Sequence, residues 1–449
     1  MLCSGMGVPA RAKARQRRSD SESAYVFYSL RINIIIAVSA ASDVLNLDFR
    51  LTPQQELFKK TVREFCEEKV APRSREIDER ADLIPEDIIK EMVELGIFGV
   101  TIPEQYGGSA SPGEEMVYAM LAVHELARAE LSMSLPVYTL LNLGWSYLVV
   151  RHGSEELKKE LLPNVAAGKW FVGIATTEPG GGSDLASIKT TAKRVGNEYM
   201  ISGEKIYLSG VTEATKKGGG HLTLFRTAPE LGTKGMTFAY VPANTPGMSH
   251  TLFKDMGRMG LSTGGFTYKD AKIPEKYVLG QENRGFYVNM EGFNAARTLV
   301  ASACLGGAEK CLELGAEYVK RRVLFGRPLA KFEGISFEIA EDLTELEMTK
   351  NLLLKGAWMI DQHYKDGSFS NKEINQIIAM CKLRAPILSV EIVKHSMMYH
   401  GALGYSKETP LEMCMRGLMA YVVGAEGGAN IMKMIIAREL MGDVAIPYK

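Results

Sequence analysis

The chain has 449 residues, 46% of them hydrophobic and 24% charged, with Lys+Arg and Asp+Glu equal at 53. That length supports two or three domains around a large core, and the charge balance argues against a nucleic-acid binder, which needs a basic surplus. Six scattered cysteines without a CxxC pair, histidines without an HExxH and no apolar run near the roughly 20 residues of a membrane span leave a soluble enzyme-sized chain with reduced core thiols and no metal centre.

Residues 1–46 differ from all that follows. Arg11, Lys13, Arg15, Arg17 and Arg18 precede AYVFYSLRINIIIAVSAAS, a basic start with an apolar middle. Arg31 interrupts the apolar part, and Asp20 and Glu22 are foreign to a transit peptide. The segment reads as a targeting peptide or an extension, disordered in either case. The location follows as cytoplasmic, or mitochondrial matrix if the segment directs import.

From Phe49 to about Trp170 apolar residues recur at helical spacing, as in Leu51, Leu57, Val62 and Phe65. Thr52-Pro53 reads as an N-cap followed by Pro at the first helical position. IPEQYGG (Ile102–Gly108) is a loop, and SMSLPVYTLLNLGWSYLVV is either core or the wall of a pocket for an apolar substrate tail. Ser154 is placed to cap the helix after it.

From about Val172 the period moves towards alternation. IKTTAKRV and EYMISGEKIYL flank Gly196-Asn197, a hairpin signal. HLTLFRT, GMTFAYVPA, GFTYKDAKI and YVLG follow as short strands, with KKGGGH (Lys216–His221) as a flexible loop among them. This is a compact β-domain, a small barrel or sandwich.

From Phe286 the pattern is helical again. More than thirty proline-free residues predict a long bundle helix, broken at FGRPL. A second helix runs through ISFEIAEDLTELEMTKNLLLKGAWMI, and a third is interrupted or started at Pro386. GALGYS closes it, and a loop carrying Glu426 leads into the last helix.

Two loops carry candidate chemistry. Glu426 is the only carboxylate between Met419 and Ala437, framed by Gly424, Gly427 and Gly428 among apolar residues. Lost hydration there disfavours the ionised form and raises the pKa, which suits a general base near neutral pH. The glycines let a ligand approach both carboxylate and backbone N–H groups. The second loop, TTEPGGGSD (Thr176–Asp184), exposes backbone N–H groups and the hydroxyls of Thr177 and Ser183.

With its neighbours, FVGIATTEPGGGSDLASIKTTAKRVGNEYMISGEKIYLSG resembles the central FAD-binding region of the acyl-CoA dehydrogenase family. The same resemblance extends to LTPQQEL, to LGIFGVTIPEQYGG, to Arg322–Leu329 and to Arg416 ahead of Glu426-Gly427, in order over residues 49–449. It implies an α-helical domain at 47–172, a β-barrel-like middle domain at 173–284 and a C-terminal four-helix bundle at 285–449.

It also implies FAD as cofactor, an acyl-CoA substrate, an electron-transfer flavoprotein as acceptor and a homo-oligomer, tetrameric or dimeric. Glu426 matches the base that takes the α-proton of the thioester while the β-hydride goes to flavin N5. Ala296 stands where some members carry the base instead. Asn294, Arg297 and Ser183 match substrate-facing positions. Ile174, Thr177, Gly182, Ser183, Tyr207 and Ser209 match flavin-facing ones, with Ser209 at the N5 position and Tyr207 where Trp is frequent. Arg322 and Phe325 match residues that reach the FAD of a neighbouring subunit, and Gly401, Gly428 and Asn430 fall in the remaining FAD windows. Glu333 for Gln, Gly428 for Thr and one extra residue between Arg416 and Glu426 depart from the pattern. The rivals are an acyl-CoA oxidase and a noncatalytic FAD-binding assembly relative; retention of Glu426 argues against the second.

Overall fold

The computed structural model describes residues 50–445. The 1–46 extension, its expected disorder or targeting role, and Cys3 lie outside the described residues. The helices α1 (Pro53–Phe65), α2 (Ser74–Arg80), α3 (Glu86–Glu94), α4 (Glu115–Ala129), α5 (Ser134–His152) and α6 (Glu155–Ala166) come first. Pro53 opens α1, and the Ser154 side chain accepts from Leu157 N to cap α6. The α5 helix is buried on every side except at its last turn, which marks it as a central core helix.

The strands β1 (Phe171–Ala175), β2 (Thr191–Val195) and β3 (Glu198–Ser209) follow, then α7 (Val211–Lys217), β4 (Gly219–Arg226), β5 (Met236–Pro242), β6 (Met248–Phe253) and β7 (Thr263–Pro274). They form a single curled seven-stranded sheet in the order β1-β4-β2-β3-β7-β6, with β5 pairing β4. The Gly196-Asn197 turn joins β2 and β3 with Val195 opposite Glu198, as its sequence predicts. Register shifts in the β3–β7 ladder fall between Ile201 and Gly203 and between Ile206 and Leu208. The second shift turns Tyr207 outward, with φ +56° and 69% exposure.

Two expectations about this region are corrected, and one strand was not foreseen. KKGGGH is no flexible loop: its lysines end α7, and Gly219 and Gly220 begin buried β4. A Cβ at Gly219 would sit 2.0 Å from Phe171 O, so the glycines serve close strand packing. YVLG is no strand and contributes only the bridge of Val278 to Ala239. The edge strand β6, exposed along its length, lacks the buried alternation that reveals strands in a sequence.

The remaining helices are α8 (Gly285–Arg321), α9 (Glu333–Asp366), α10 (Asn371–His400), α11 (Leu411–Val423) and α12 (Ala429–Met441), with a two-stranded hairpin, β8 (Val323–Leu324) and β9 (Arg327–Pro328), after α8. The 37-residue α8 packs against α4, α5, α9 and α10, and α11 and α12 pack on α10. At the α5–α8 crossing, a Cβ on Gly292 would come 2.5 Å from the Trp145 ring. The helix expected to break at Pro386 runs unbroken from Asn371 to His400. Burial of a stripe that runs along it, Pro386 included, outweighs the one hydrogen bond a proline omits. Cys66, Cys304, Cys311, Cys381 and Cys414 are buried free thiols. No described helix is long and apolar enough to cross a membrane.

Candidate functional site

The loop between α11 and α12 has no regular ladder. Ala425, Glu426 and Gly427 take φ values of +52°, +50° and +102° in succession. Left-handed backbone costs a residue with a Cβ roughly 1–2 kcal/mol, so such a loop persists only where its surroundings hold it. Two buried cations do so. Arg297, 5% exposed on α8, donates from Nε to the Glu426 carbonyl at 2.8 Å. Lys382, 2% exposed on α10, donates from Nζ to the carbonyls of Tyr421 (3.0 Å), Gly427 (3.3 Å) and Gly424 (3.5 Å).

Burial pushes the Glu426 carboxyl above the usual carboxylate range, against the opposing pull of Lys382, Arg297 and Arg258. Burial likewise lowers Arg297 to about 10, with Glu426 acting the other way. The carboxyl is thus held above its ordinary range, the direction its isolation among glycines and apolar residues leads one to expect. Asn294 lies one turn before Arg297 on α8, buried, and donates from Nδ2 to Asn375 Oδ1 at 2.8 Å. Gly428 caps α12 and exposed Asn430 stands in its first turn.

A second group gathers at one end of the sheet. Ile174 lies on β1, and Thr177 O accepts from Ile206 N at 2.9 Å, which brings the TTEPGGGSD loop beside Tyr207 and Ser209 on β3. A Cβ at Gly182 would press on the Thr177 side chain at 3.1 Å, while Gly180 and Gly181 leave the loop face clear. Ser183 is exposed, Thr177 and Ser209 partly so. Beneath the loop, fully buried Lys205 donates to Glu178 Oε1 (2.8 Å) and Thr176 O (3.1 Å). Buried His221 lies 2.9 Å from the Ser209 carbonyl through Nε2. Arg258 joins the two groups: it reaches Ser209 Oγ at 3.4 Å and acts electrostatically on Glu426.

A third group is elsewhere. Arg322 follows the last residue of α8, and Phe325 sits on the β8–β9 turn at 92% exposure. Gly401 ends α10 near them, since His400 stacks on Tyr318 of α8 with ring centroids 4.0 Å apart. At 1.5 Å per residue, Arg322 lies roughly 37 Å from Arg297 along the helix. These residues therefore do not meet Glu426 within one chain. Glu333, the departure from Gln, is exposed at the first position of α9, where a carboxylate suits the helix dipole.

Arg416, noted for its spacing from Glu426, pairs instead with Asp78 (2.6 Å) and Glu412 (2.8 Å). Sequence reasoning missed Lys382 and Arg258. Lys382 had a signal: it continues the buried stripe Ile374, Ile378 at helical spacing, where a charge needs a partner.

For a flavin, the fit rests on what these loops present. Cleared glycines, hydroxyls at Thr177, Ser183 and Ser209, and an outward aromatic ring at Tyr207 suit a planar, hydrogen-bonding group beside Glu426.

Comparison with known proteins agrees over almost the whole described chain. The profiles "Acyl-CoA dehydrogenase, N-terminal domain", "middle domain" and "C-terminal domain" match residues 52–169, 173–271 and 283–441. An acyl-CoA dehydrogenase of Bacillus subtilis (strain 168) is 33% identical over 87% of this chain and 99% of its own length. An NADH-dependent acryloyl-CoA reductase of Anaerotignum propionicum is 33% identical over 88% of this chain and 96% of its own. A solved glutaryl-coenzyme A dehydrogenase, in complex with glutaryl-CoA, superposes with a TM-score of 0.81 at 28% identity, over 88% of this chain and 97% of that one.

Proposed function

The chain belongs to the acyl-CoA dehydrogenase family of FAD-dependent oxidoreductases acting on CH–CH groups, and from that premise we propose that Glu426 is the base for α,β-dehydrogenation of an acyl-CoA thioester to the trans-2-enoyl-CoA. The observation that carries this reading is the Glu426 loop: a carboxyl raised by burial, on a left-handed backbone held by Arg297 and Lys382. A thioester α-proton is weakly acidic, so the carboxylate must be dry, close and correctly aimed when it takes it.

When bound, FAD supplies the two-electron acceptor for the β-hydride. Thr177, Ser183, Gly182, Ile174, Tyr207 and Ser209 would hold its ring system, and Ser183, Asn294 and Arg297 would position the thioester. The Glu426 N–H, which lies outside any helix, would donate to the thioester oxygen as charge develops there. Arg322, Phe325 and Gly401 are assigned to the FAD of a neighbouring subunit, with Gly428 and Asn430 at the junction. On this reading the protein works as a homo-oligomer, a tetramer or a dimer, and would hand its electrons to an electron-transfer flavoprotein in fatty-acid β-oxidation. The domains follow as 47–172, 173–284 and 285–449.

A second reading is supported by the likeness to an acryloyl-CoA reductase. A carboxyl raised by burial also serves as an acid, so Glu426 can return a proton to the α-carbon of an enoyl-CoA when NADH is the reductant.

The test is anaerobic bleaching of the yellow protein by straight, branched and dicarboxylic acyl-CoAs. Bleaching by at least one of them is expected, and its loss in Glu426→Gln with the yellow cofactor retained. A Glu426→Gln protein that turns over at the wild-type rate, or a wild type that none bleaches, sinks the dehydrogenase reading. NADH-driven saturation of an enoyl-CoA, without acyl-CoA bleaching, would establish the second.

A further inference from the structure

We propose that Lys382 is the positioning residue of the Glu426 loop, a role that rests on Glu426 being the base: one buried ammonium gathers the carbonyls on both sides of Glu426 and so fixes the direction in which its carboxylate leaves the backbone. Lys382 sits four residues after Ile378 and eight after Ile374, on the buried stripe of α10, where an apolar side chain would be the cheaper filling. An ammonium that leaves water must find acceptors for its protons, or its burial is heavily penalised. Here the acceptors are the carbonyls of Tyr421, Gly424 and Gly427.

Those acceptors bracket the base. Tyr421 lies in the last turn of α11, whose carbonyls lack helical donors and attract a cation. Gly424 opens the loop, and Gly427 follows Glu426 directly. Arg297 holds the Glu426 carbonyl between them. With the carbonyls of Gly424, Glu426 and Gly427 all anchored, the three left-handed residues are held against relaxing to ordinary backbone.

All three hydrogen-bond partners of Lys382 at the loop are neutral dipoles, so its charge remains available to the ionised Glu426. The groups facing that carboxylate are Lys382 from α10, Arg297 from α8, Arg258 from the β6–β7 segment and the Tyr421 phenol from α11. The groups facing Lys382 are Glu426, Arg297 and Cys304, whose buried thiol is pushed up to about 12 and stays neutral.

The experiment compares holoenzymes carrying Lys382→Met, Lys382→Arg and Lys382→Gln. For Lys382→Met, kcat is expected to fall about 10- to 100-fold, the effect of misplacing a reacting group by about an ångström, with KM for acyl-CoA and flavin content nearly unchanged. The acidic limb of kcat should move to higher pH, because a cation facing the carboxylate is gone. Lys382→Arg should restore most of the rate. Lys382→Gln, which keeps donors without charge, should retain more rate than Met yet share the displaced limb; it gives the same readout if the Met variant does not accumulate.

A wild-type kcat and unmoved limb in Lys382→Met overturns the proposal. So does parallel loss of flavin and activity in all three variants, the mark of a merely structural lysine. Glu426→Gln separates the two assignments: inactive beside an unaffected Lys382→Met, it removes only the role of Lys382; fully active, it removes the base itself.

Discussion

Arg297 both fixes the Glu426 carbonyl and opposes the burial that raises the neighbouring carboxyl. With Glu426 as the proposed base, which works only above its own pKa, activity should rise as pH climbs through that raised value. Removing the cation in Arg297→Met should carry this limb further towards alkaline pH and lower kcat about 10-fold or more at neutral pH, as a profile of kcat against pH would reveal. Lys205 poses the complementary case beneath the glycine loop. Lys205→Met leaves the largely buried Glu178 carboxylate without its counter-charge, and removing one member of such a pair costs about 3–5 kcal/mol. We expect a lower urea midpoint and faster loss of flavin, since Glu178 also accepts from Lys189 N and Thr190 N at the loop's end. The raised carboxyl of Glu426 was legible in the sequence because its isolation among glycines and apolar residues is a local pattern. Lys382 was legible only in part: its place on the Ile374, Ile378 stripe marks a charge that needs a partner, but nothing local names three carbonyls of a distant loop as that partner.

Helices α1, α4, α8 and α9 are joined by a charged knot. His124 lies 3.0 Å from Glu309 and 3.6 Å from Glu125, while Arg63, Arg128 and Lys350 close on the same carboxylates at 2.7, 3.3 and 3.0 Å. Burial works against the His124 cation, but the two carboxylates outweigh it and raise its pKa above the usual value. The stabilisation is thus complete below about pH 6.5 and is lost as pH rises through the raised value. On the acid side, burial is overcome by the same partners: Glu125 is held down to about 2 and Glu309 lower still, so their contribution fades as pH falls below about 4.3. Urea midpoints measured across pH should decline on both flanks, and His124→Gln should flatten the alkaline one. At this scale the sequence was informative where structure is local. Gly196-Asn197 specifies its turn by itself, and Pro53 and Ser154 mark helix starts by their own chemistry. KKGGGH and Pro386 misled because their states are set by what packs on them: Phe171 against Gly219, and a buried stripe that carries α10 past its proline.

Over the whole molecule, the proposed FAD contacts fall into groups that one chain keeps apart. If each flavin is held by Arg322 of one subunit beside Glu426 of another, Arg322→Ala and Glu426→Gln chains should complement. Mixed oligomers, refolded from the two inactive proteins, should regain a fraction of wild-type turnover that neither recovers alone. Activity that stays absent in the mixture would place both residues in the service of one chain's cofactor. The order of helices, sheet and helices was readable from periodicity because it changes twice along the chain. The length of α8 was readable too, from its proline-free run up to FGRPL, but which of its side chains meet the Glu426 loop was not, since that depends on how distant segments pack. That helix is in effect a ruler. Each residue of it adds about 1.5 Å and about 100° of rotation, so deleting a single residue between Arg297 and Arg322 would leave the chemistry at both ends intact but out of phase. On the proposed shared site, the two halves of a flavin's binding site would then be mis-timed like teeth on a slipped gear, and a protein with every proposed contact in place should lose its colour.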